Sequence, residues 1–227
     1  MKESQNLKMQ LLDKYADASD KQSVDFCREA YKFLTEGENE IPRIPLTGDK
    51  PKDGIYVILK SGSYEAWDKN AEYDHDSIAY IGIIHEGHPF ACGKKDLGRY
   101  QLLKDGVECP KESEFYHPCE CDALYDWECA EKTKHIQSLG TDIPLEDGEY
   151  IPALPMVVAM RYWAERGLNE ALESVGGEPF DMDSTYWSVA EFNSYLAWGV
   201  HFNDGYVGYG NGKCYRGVVR PVAAFNL

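Results

Sequence analysis

The sequence predicts an α+β fold, and three observations carry that class. Apolar residues recur at helical spacing near the N-terminus and again across Met156-Val157-Val158-Ala159-Met160-Arg161-Tyr162-Trp163-Ala164. Two short runs, Ile55-Tyr56-Val57-Ile58-Leu59 and Ile78-Ala79-Tyr80-Ile81-Gly82-Ile83-Ile84, are rich in β-branched and aromatic residues and bounded by turn formers, as strands are. At the C-terminal end Trp198, Val200 and Phe202 alternate ahead of Asp204-Gly205, the signature of a hairpin.

Bulk properties bound what these elements build. A chain of 227 residues has room for one substantial domain with a long N-terminal attachment, or for two small domains; the boundary is expected so that residues 1–48 form a helical arm and linker and residues 49–227 the main domain. Hydrophobic residues at 43% and aromatics at 13% suffice for a packed core. The formal net charge of −16 argues against nucleic acid, whose phosphates demand a basic footprint, and against anionic membranes. Met1-Lys2-Glu3-Ser4-Gln5-Asn6 opens a polar stretch without the apolar run of a secretory signal. No window approaches the roughly 18 apolar residues of a membrane span, so membrane insertion is not expected. The expectation is a protein that stays where it is made, or that reaches the outside as part of a larger assembly such as a phage particle.

Taken in order, Leu7, Leu11, Leu12 and Tyr15 share a helical face. A second segment starts near Ser23, a plausible N-cap, and carries Val24, Cys27, Ala30, Tyr31 and Leu34; self-association through this arm is its candidate role. Gly37, Pro42, Pro45, Gly48, Pro51 and Gly54 then punctuate a linker. The two strands follow, the second apolar enough to be covered on both faces. A loop-rich region comes next, within which 126–139 reads as one helix closed by Gly140. Pro155 and Gly167 bracket the next helix with proline at its start and glycine past its end. A shorter helix from Leu168 to Val175 stops at Gly176-Gly177.

Seven cysteines, Cys27, Cys92, Cys109, Cys119, Cys121, Cys129 and Cys214, are an odd number, so reduced thiols are the default reading. His117, Cys119, Cys121 and Cys129 form one cluster that merits weighing as a zinc site. A Cys-x-Cys pair is not the usual ligand spacing and no second matching pair exists, so ordinary thiols and no cofactor are expected. Asp74-His75-Asp76 reads as a solvated turn rather than an acid/base pair.

Alternation places Trp198, Val200 and Phe202 on the inward face of a strand and sends Gly199, His201 and Asn203 the other way. Asn203-Asp204-Gly205 makes the turn, Tyr206 and Val207 begin the return, and Gly208-Tyr209-Gly210-Asn211-Gly212 is glycine-rich enough to read as a loop. Val218, Val219 and Val222 resume one buried strand ending at Phe225. The segment keeps apolar letters at scaffold positions and places small, polar and tyrosine residues between them.

Tyr186-Trp187-Ser188-x-x-Glu191, Ala197-Trp198-x-Val200-x-Phe202-x-x-Gly205-x-Val207, Lys213 and Val218-Val219-Arg220-Pro221-Val222-Ala223-Ala224-Phe225 together resemble the variable proteins of diversity-generating retroelements. They also resemble the C-terminal domain of bacterial collagen-like adhesins. Upstream, Tyr150-Ile151-Pro152-Ala153-Leu154 and Leu168-Asn169-Glu170-Ala171-Leu172 with Gly176-Gly177 fit the same pattern. The resemblance implies a C-type-lectin-like fold in which 186–225 is the candidate variable region, diversified by replacement of adenines in its coding template. It departs from the family at Ala153-Leu154-Pro155-Met156 and at Val189-Ala190, which puts the local helix and loop geometry in doubt without touching the presenting face.

On this reading Gly199, His201, Asn203, Asp204, Tyr206, Tyr209, Asn211, Tyr215 and Arg216 contact ligand. Trp187, Trp198, Val200, Phe202, Gly205, Val207 and Arg220 are the scaffold. Randomised adenines of an AAC or AAT codon give Asn, Asp, His, Tyr, Ser, Gly, Cys and Arg, but never Lys, Glu, Gln, Met or Trp, and the ligand-contact set obeys that restriction. Tyrosines supply large, stiff contact area and Asn, Gly and Ser adaptable polar contacts, as in antibody paratopes. The expected partner is a protein or carbohydrate on a cell surface. The runner-up is a static adhesin domain with the same face undiversified. An oxidase like the formylglycine-generating enzymes, which share the lectin-like fold, ranks lower because they need a paired-cysteine copper site and Cys214 has no evident sequence partner. A calcium-dependent lectin lacks its Glu-Pro-Asn, Gln-Pro-Asp and Trp-Asn-Asp motifs here. No glycine-rich phosphate loop, G-x-S-x-G or H-E-x-x-H occurs, and no enzymatic activity is expected.

Overall fold

The computed structural model of the chain describes residues 52–227, apart from the side chains of residues 210 and 211. The two helical segments expected within residues 1–48, and the self-association assigned to them, lie outside the described residues. The described part is mixed α+β: one six-stranded sheet and one five-stranded sheet, with a few short helices.

The first sheet contains β1 (Gly54–Leu59), β2 (Tyr64–Ala66), β3 (Ile78–His85), β4 (His88–Cys92), β6 (Glu149–Tyr150) and β11 (Val222–Ala223), all paired antiparallel. Its alternation is two-sided. Ile55, Val57, Ile81 and Ile83 enter the main core, whereas Ile58, Ile84 and Ala91 close on Phe225 across the opposite face. Gly82 is required there, since a Cβ at that position would stand 2.7 Å from the Phe225 ring.

Two short helices follow β5 (Gly98–Gln101): α1 (Glu120–Tyr125) and α2 (Ala130–Leu139). The single helix expected over 126–139 is therefore shorter, and its first residues belong to a break. Local side-chain bonds make that break. Asp126 Oδ1 accepts the Glu128 N–H at 3.0 Å, and Glu128 Oε1 accepts the Ala130 and Glu131 N–H groups at 2.8 and 3.1 Å, capping α2.

The central helix α3 (Leu154–Trp163) starts with Pro155 in its first turn, where no intrahelical N–H is missed, and buries Leu154, Met156, Val157, Ala159 and Met160. It kinks through 164–168, where Gly167 adopts φ +107°, a conformation that suits a residue without Cβ, and continues as α4 (Asn169–Ser174). Gly176 and Gly177 then return their N–H groups to Glu173 and Leu172, stopping the helix. No helix among the described residues is long and apolar enough to cross a membrane.

The second sheet contains β5, β7 (Thr185–Glu191), β8 (Leu196–His201), β9 (Val207–Gly212) and β10 (Arg216–Val219); β10 runs parallel to β7 through Val218 and Tyr186, and the other pairs are antiparallel. Two expectations change here. Residues 208–212 form an edge strand rather than a loop, because backbone bonds to β8 override the weak strand propensity of glycine. The single strand expected over 218–225 is divided between the two sheets at Arg220-Pro221. Pro221 has no N–H for a ladder, and Arg220 is buried at the crossing. Its guanidinium pairs with Asp96 at 2.6 Å, donates to the carbonyls of Gly93 and Glu178 at 3.1 Å, and lies 4.3 Å from the Phe180 ring centroid.

Candidate functional site

The C-terminal hairpin is built on a floor that is buried except at Val207, which is half-buried. Tyr186, Val200 and Val207 lie in cross-strand register, and Tyr186 packs on Phe180 and Phe202. Trp187, Trp198 and Phe202 are each no more than 2% exposed. The indole nitrogens are satisfied: Trp187 Nε1 donates to the Tyr100 carbonyl at 3.0 Å and Trp198 Nε1 to that of His117 at 2.9 Å. A β-bulge between Ala197 and Gly199 sets Tyr209 and Gly210 of β9 against the single Trp198 of β8, re-aiming the tyrosine. The turn runs over 202–204 and closes with the Gly205 N–H on the His201 carbonyl at 2.8 Å; Gly205 takes φ +75°.

Above that floor the side chains divide. Tyr206, Tyr209 and Tyr215 are 62%, 45% and 64% exposed, and Asn203, Asp204 and Arg216 are exposed with them. His201 is half-buried, with the Tyr206 ring edge-on at 5.9 Å. Tyr209 stacks on Phe192 at 4.1 Å and meets Trp198 edge-on at 5.1 Å, so its ring is braced. Asp204 Oδ1 accepts the Tyr206 N–H at 2.9 Å and shapes the turn. The side chain of Asn211 is outside the described residues; its backbone pairs with Ala197.

Gly199 departs from the expected outward face. It is buried between Trp187 of β7 and Gly208 of β9, its register partners on either side. A residue without a side chain, set beside one as large as Trp187, presents little surface of its own, so alternation alone does not bring every second position to solvent. Gly208 is buried too, and a Cβ there would stand 2.7 Å from the Tyr206 ring. Gly217, which also passes the codon restriction, is held under Trp187: a Cβ would stand 2.8 Å from the indole nitrogen. Tyr195 extends the exposed aromatic set and carries no signal in the alternation pattern. At 78% exposed, it sits in a turn shaped by Asn193, whose Oδ1 accepts the Tyr195 and Leu196 N–H groups. An Asn two residues before an aromatic is the local cue that identifies such a turn.

Behind the hairpin lies a buried polar cluster. Lys213 and Glu191, 4% and 1% exposed, form an ion pair through Nζ and Oε1. Glu191 Oε2 is 3.5 Å from His135 Nε2, and Lys213 Nζ is 5.1 Å from the Tyr116 ring centroid and donates to Cys109 Sγ at 3.9 Å. Burial pushes the Cys109 thiol above its ordinary range, against the opposing pull of Lys213. Burial, with the Glu191 charge, pushes the Tyr116 hydroxyl up to about 12. The backbone binds the same cluster together, since the His117 N–H donates to the Glu191 carbonyl at 2.8 Å and the Lys213 N–H to that of Tyr195 at 3.0 Å.

The cysteine-histidine cluster is dispersed. Cys119 and Cys121 are exposed, Cys129 is buried, and His117 Nε2 lies 3.1 Å from Asp126 Oδ2. Among the described residues no group of three or more His, Cys, Asp or Glu side chains is arranged to hold a metal ion. Burial and the neighbouring Lys132 cation hold His117 below its ordinary range. Asp74, His75 and Asp76 form an exposed turn in which Asp74 Oδ1 accepts the Asp76 N–H at 3.2 Å.

No protein-family model matches the chain, and no match is found among curated proteins. Among solved structures, a fimbrial protein from Bacteroides ovatus ATCC 8483 is similar at a TM-score of 0.48 and 18% identity, covering 77% of this chain and 49% of that one. The chain thus spans about half the length of that protein, and a likeness at this level carries neither fold family nor function across.

Proposed function

We propose that this chain is a ligand-binding protein of the recognition or adhesion type, displaying a diversifiable C-terminal face on a C-type-lectin-like scaffold. The observation that carries the reading is a separation within the C-terminal segment: Tyr206 before β9, Tyr209 on it and Tyr215 in the turn after it stand exposed, while Trp187, Trp198 and Phe202 beneath them are buried. Large amphipathic rings make contact area at low entropic cost, and here Tyr209 is held on β9 while Tyr206 and Tyr215 project from the turns that flank it. The candidate ligand is a protein or carbohydrate on a cell surface, met by the tyrosines with His201, Asn203, Asp204 and Arg216 around them. Gly199 belongs to the floor of that site, not to its contact surface. The resemblance to variable proteins of diversity-generating retroelements is what makes these exposed positions the ones proposed to change, and the proposed role requires no catalytic group.

The test is capture of a panel of bacterial cells, and of proteins and glycans extracted from their surfaces, by the full chain and by Tyr206→Ala, Tyr215→Ala and their combination. Loss of capture with an unchanged melting temperature supports the reading. Capture unaffected by the double substitution overturns it.

A further inference from the structure

We propose that Cys109 and Lys213 are a modification site: on oxidation they form a covalent sulfenamide cross-link that fastens the end of the hairpin to the loop ahead of α1. The two atoms are near neighbours, with Lys213 Nζ 3.9 Å from Cys109 Sγ, a long hydrogen bond to sulfur, across 104 residues of sequence. Lys213 cannot easily turn away. Its side chain is 4% exposed and paired with Glu191, and its backbone is fixed on both sides, the N–H to the Tyr195 carbonyl at 3.0 Å and the carbonyl to the Leu103 N–H at 3.1 Å. Cys109 is half-buried rather than enclosed, unlike Cys92 and Cys129. The inference is independent of what the hairpin binds.

The chemistry runs in two balanced steps. A hydroperoxide first oxidises Cys109 through the small thiolate fraction that its raised thiol leaves, so the step is slow: the O–O bond breaks, sulfur gives up two electrons and gains a hydroxyl, and the released oxygen leaves as water or alcohol with the thiol's proton. Sulfenic acids condense with nearby nitrogen nucleophiles. Lys213 passes one proton to the Glu191 carboxylate in contact with it, and the freed nitrogen lone pair attacks Sγ. The S–N bond forms as the S–O bond breaks, and the departing hydroxide takes a proton from the new S–N nitrogen and leaves as water. Glu191 later returns its proton to solvent. Two equivalents of a thiol reductant reverse the link, restoring thiol and amine and forming a disulfide.

The experiment exposes the full chain to limiting hydrogen peroxide, digests it without reduction and maps the peptides by mass spectrometry. The expected product is the Cys109 peptide joined to the Lys213 peptide, two hydrogens lighter than their sum, released by dithiothreitol and lost in Cys109→Ser. Lys213→Arg keeps a cation beside Glu191 with a far weaker nucleophile and should also lose it. Cys109→Ser changes one atom, so the test stands even if the arginine variant does not fold. Separate peptides with Cys109 as a sulfenic or sulfinic acid or in a disulfide would overturn the proposal, as would a joined pair heavier by one oxygen.

Discussion

Replacing Glu191 with leucine removes the carboxylate that neutralises a lysine buried behind the C-terminal hairpin. Both partners are almost fully enclosed, at 1% and 4% exposure, so the value of about 0–1 kcal/mol usual for exposed ion pairs does not apply. Removing one partner of a buried pair costs about 3–5 kcal/mol, because the other charge is left in a poorly solvating interior. The Tyr116 ring 5.1 Å away and the Cys109 sulfur are weak substitutes for a carboxylate. In a chain of this size each kcal/mol moves the melting temperature by about 2–4 °C, so Glu191→Leu should lower it by roughly 6–20 °C. The assay is thermal unfolding, checked by urea denaturation for an unchanged slope. Adding Lys213→Met should recover most of the loss, since an apolar pair of similar volume replaces buried charges with little or no penalty. A single-variant loss below about 1 kcal/mol, or a double variant less stable than the single, would refute the assignment of this pair as a buried clamp.

Gly217→Ala places a Cβ 2.8 Å from the Trp187 indole nitrogen, which is itself bonded to Tyr100, and should destabilise by about 1–3 kcal/mol on a denaturant curve. Tyr209→Ala should weaken ligand capture and also lower stability through its stacking on Phe192, whereas Tyr215→Ala should affect capture alone; paired binding and melting measurements separate the two. Stability should fall with acid in two stages. Burial and Lys132 depress His117, so its contribution is present above the ordinary histidine range near about 6.5 and is lost as pH falls from there toward the folded value. For Asp126, burial pulls upward but the Lys132 and Glu128 hydrogen bonds win and depress it, so its contribution is lost only below the ordinary aspartate range. Melting temperatures against pH for His117→Gln and Asp126→Asn should each lack one stage.

Period and punctuation made much of this fold legible. The β-branched runs of β1 and β3, the proline-to-glycine frame of α3 and the Trp198-Val200-Phe202 alternation each depend on neighbours close in sequence. What stayed hidden depends on partners far away. The glycine-rich run 208–212 has little intrinsic strand preference, and only its ladder with β8 makes it β9. The handover of the chain between sheets at Arg220-Pro221 is set by Asp96, Gly93 and Glu178, each more than forty positions upstream. Within the candidate site the tyrosines were readable from composition. The burial of Gly199 required knowing that Trp187 is its register partner on β7, and Tyr195 and the pairing of Glu191 with Lys213 required the turn and sheet that bring them together.

The central claim is that this hairpin carries a face free to change on a scaffold that is not. Its most direct test is sequencing of the genomic region around the coding DNA, read against any near-identical template repeat beside a reverse-transcriptase gene. The account predicts mismatches confined to template adenines and falling on codons such as those of His201, Asn203, Tyr206, Tyr209, Tyr215 and Arg216, with Trp198, Val200, Phe202 and Lys213 unchanged. Absence of a repeat, or mismatches spread equally over the buried codons and non-adenine bases, would contradict it.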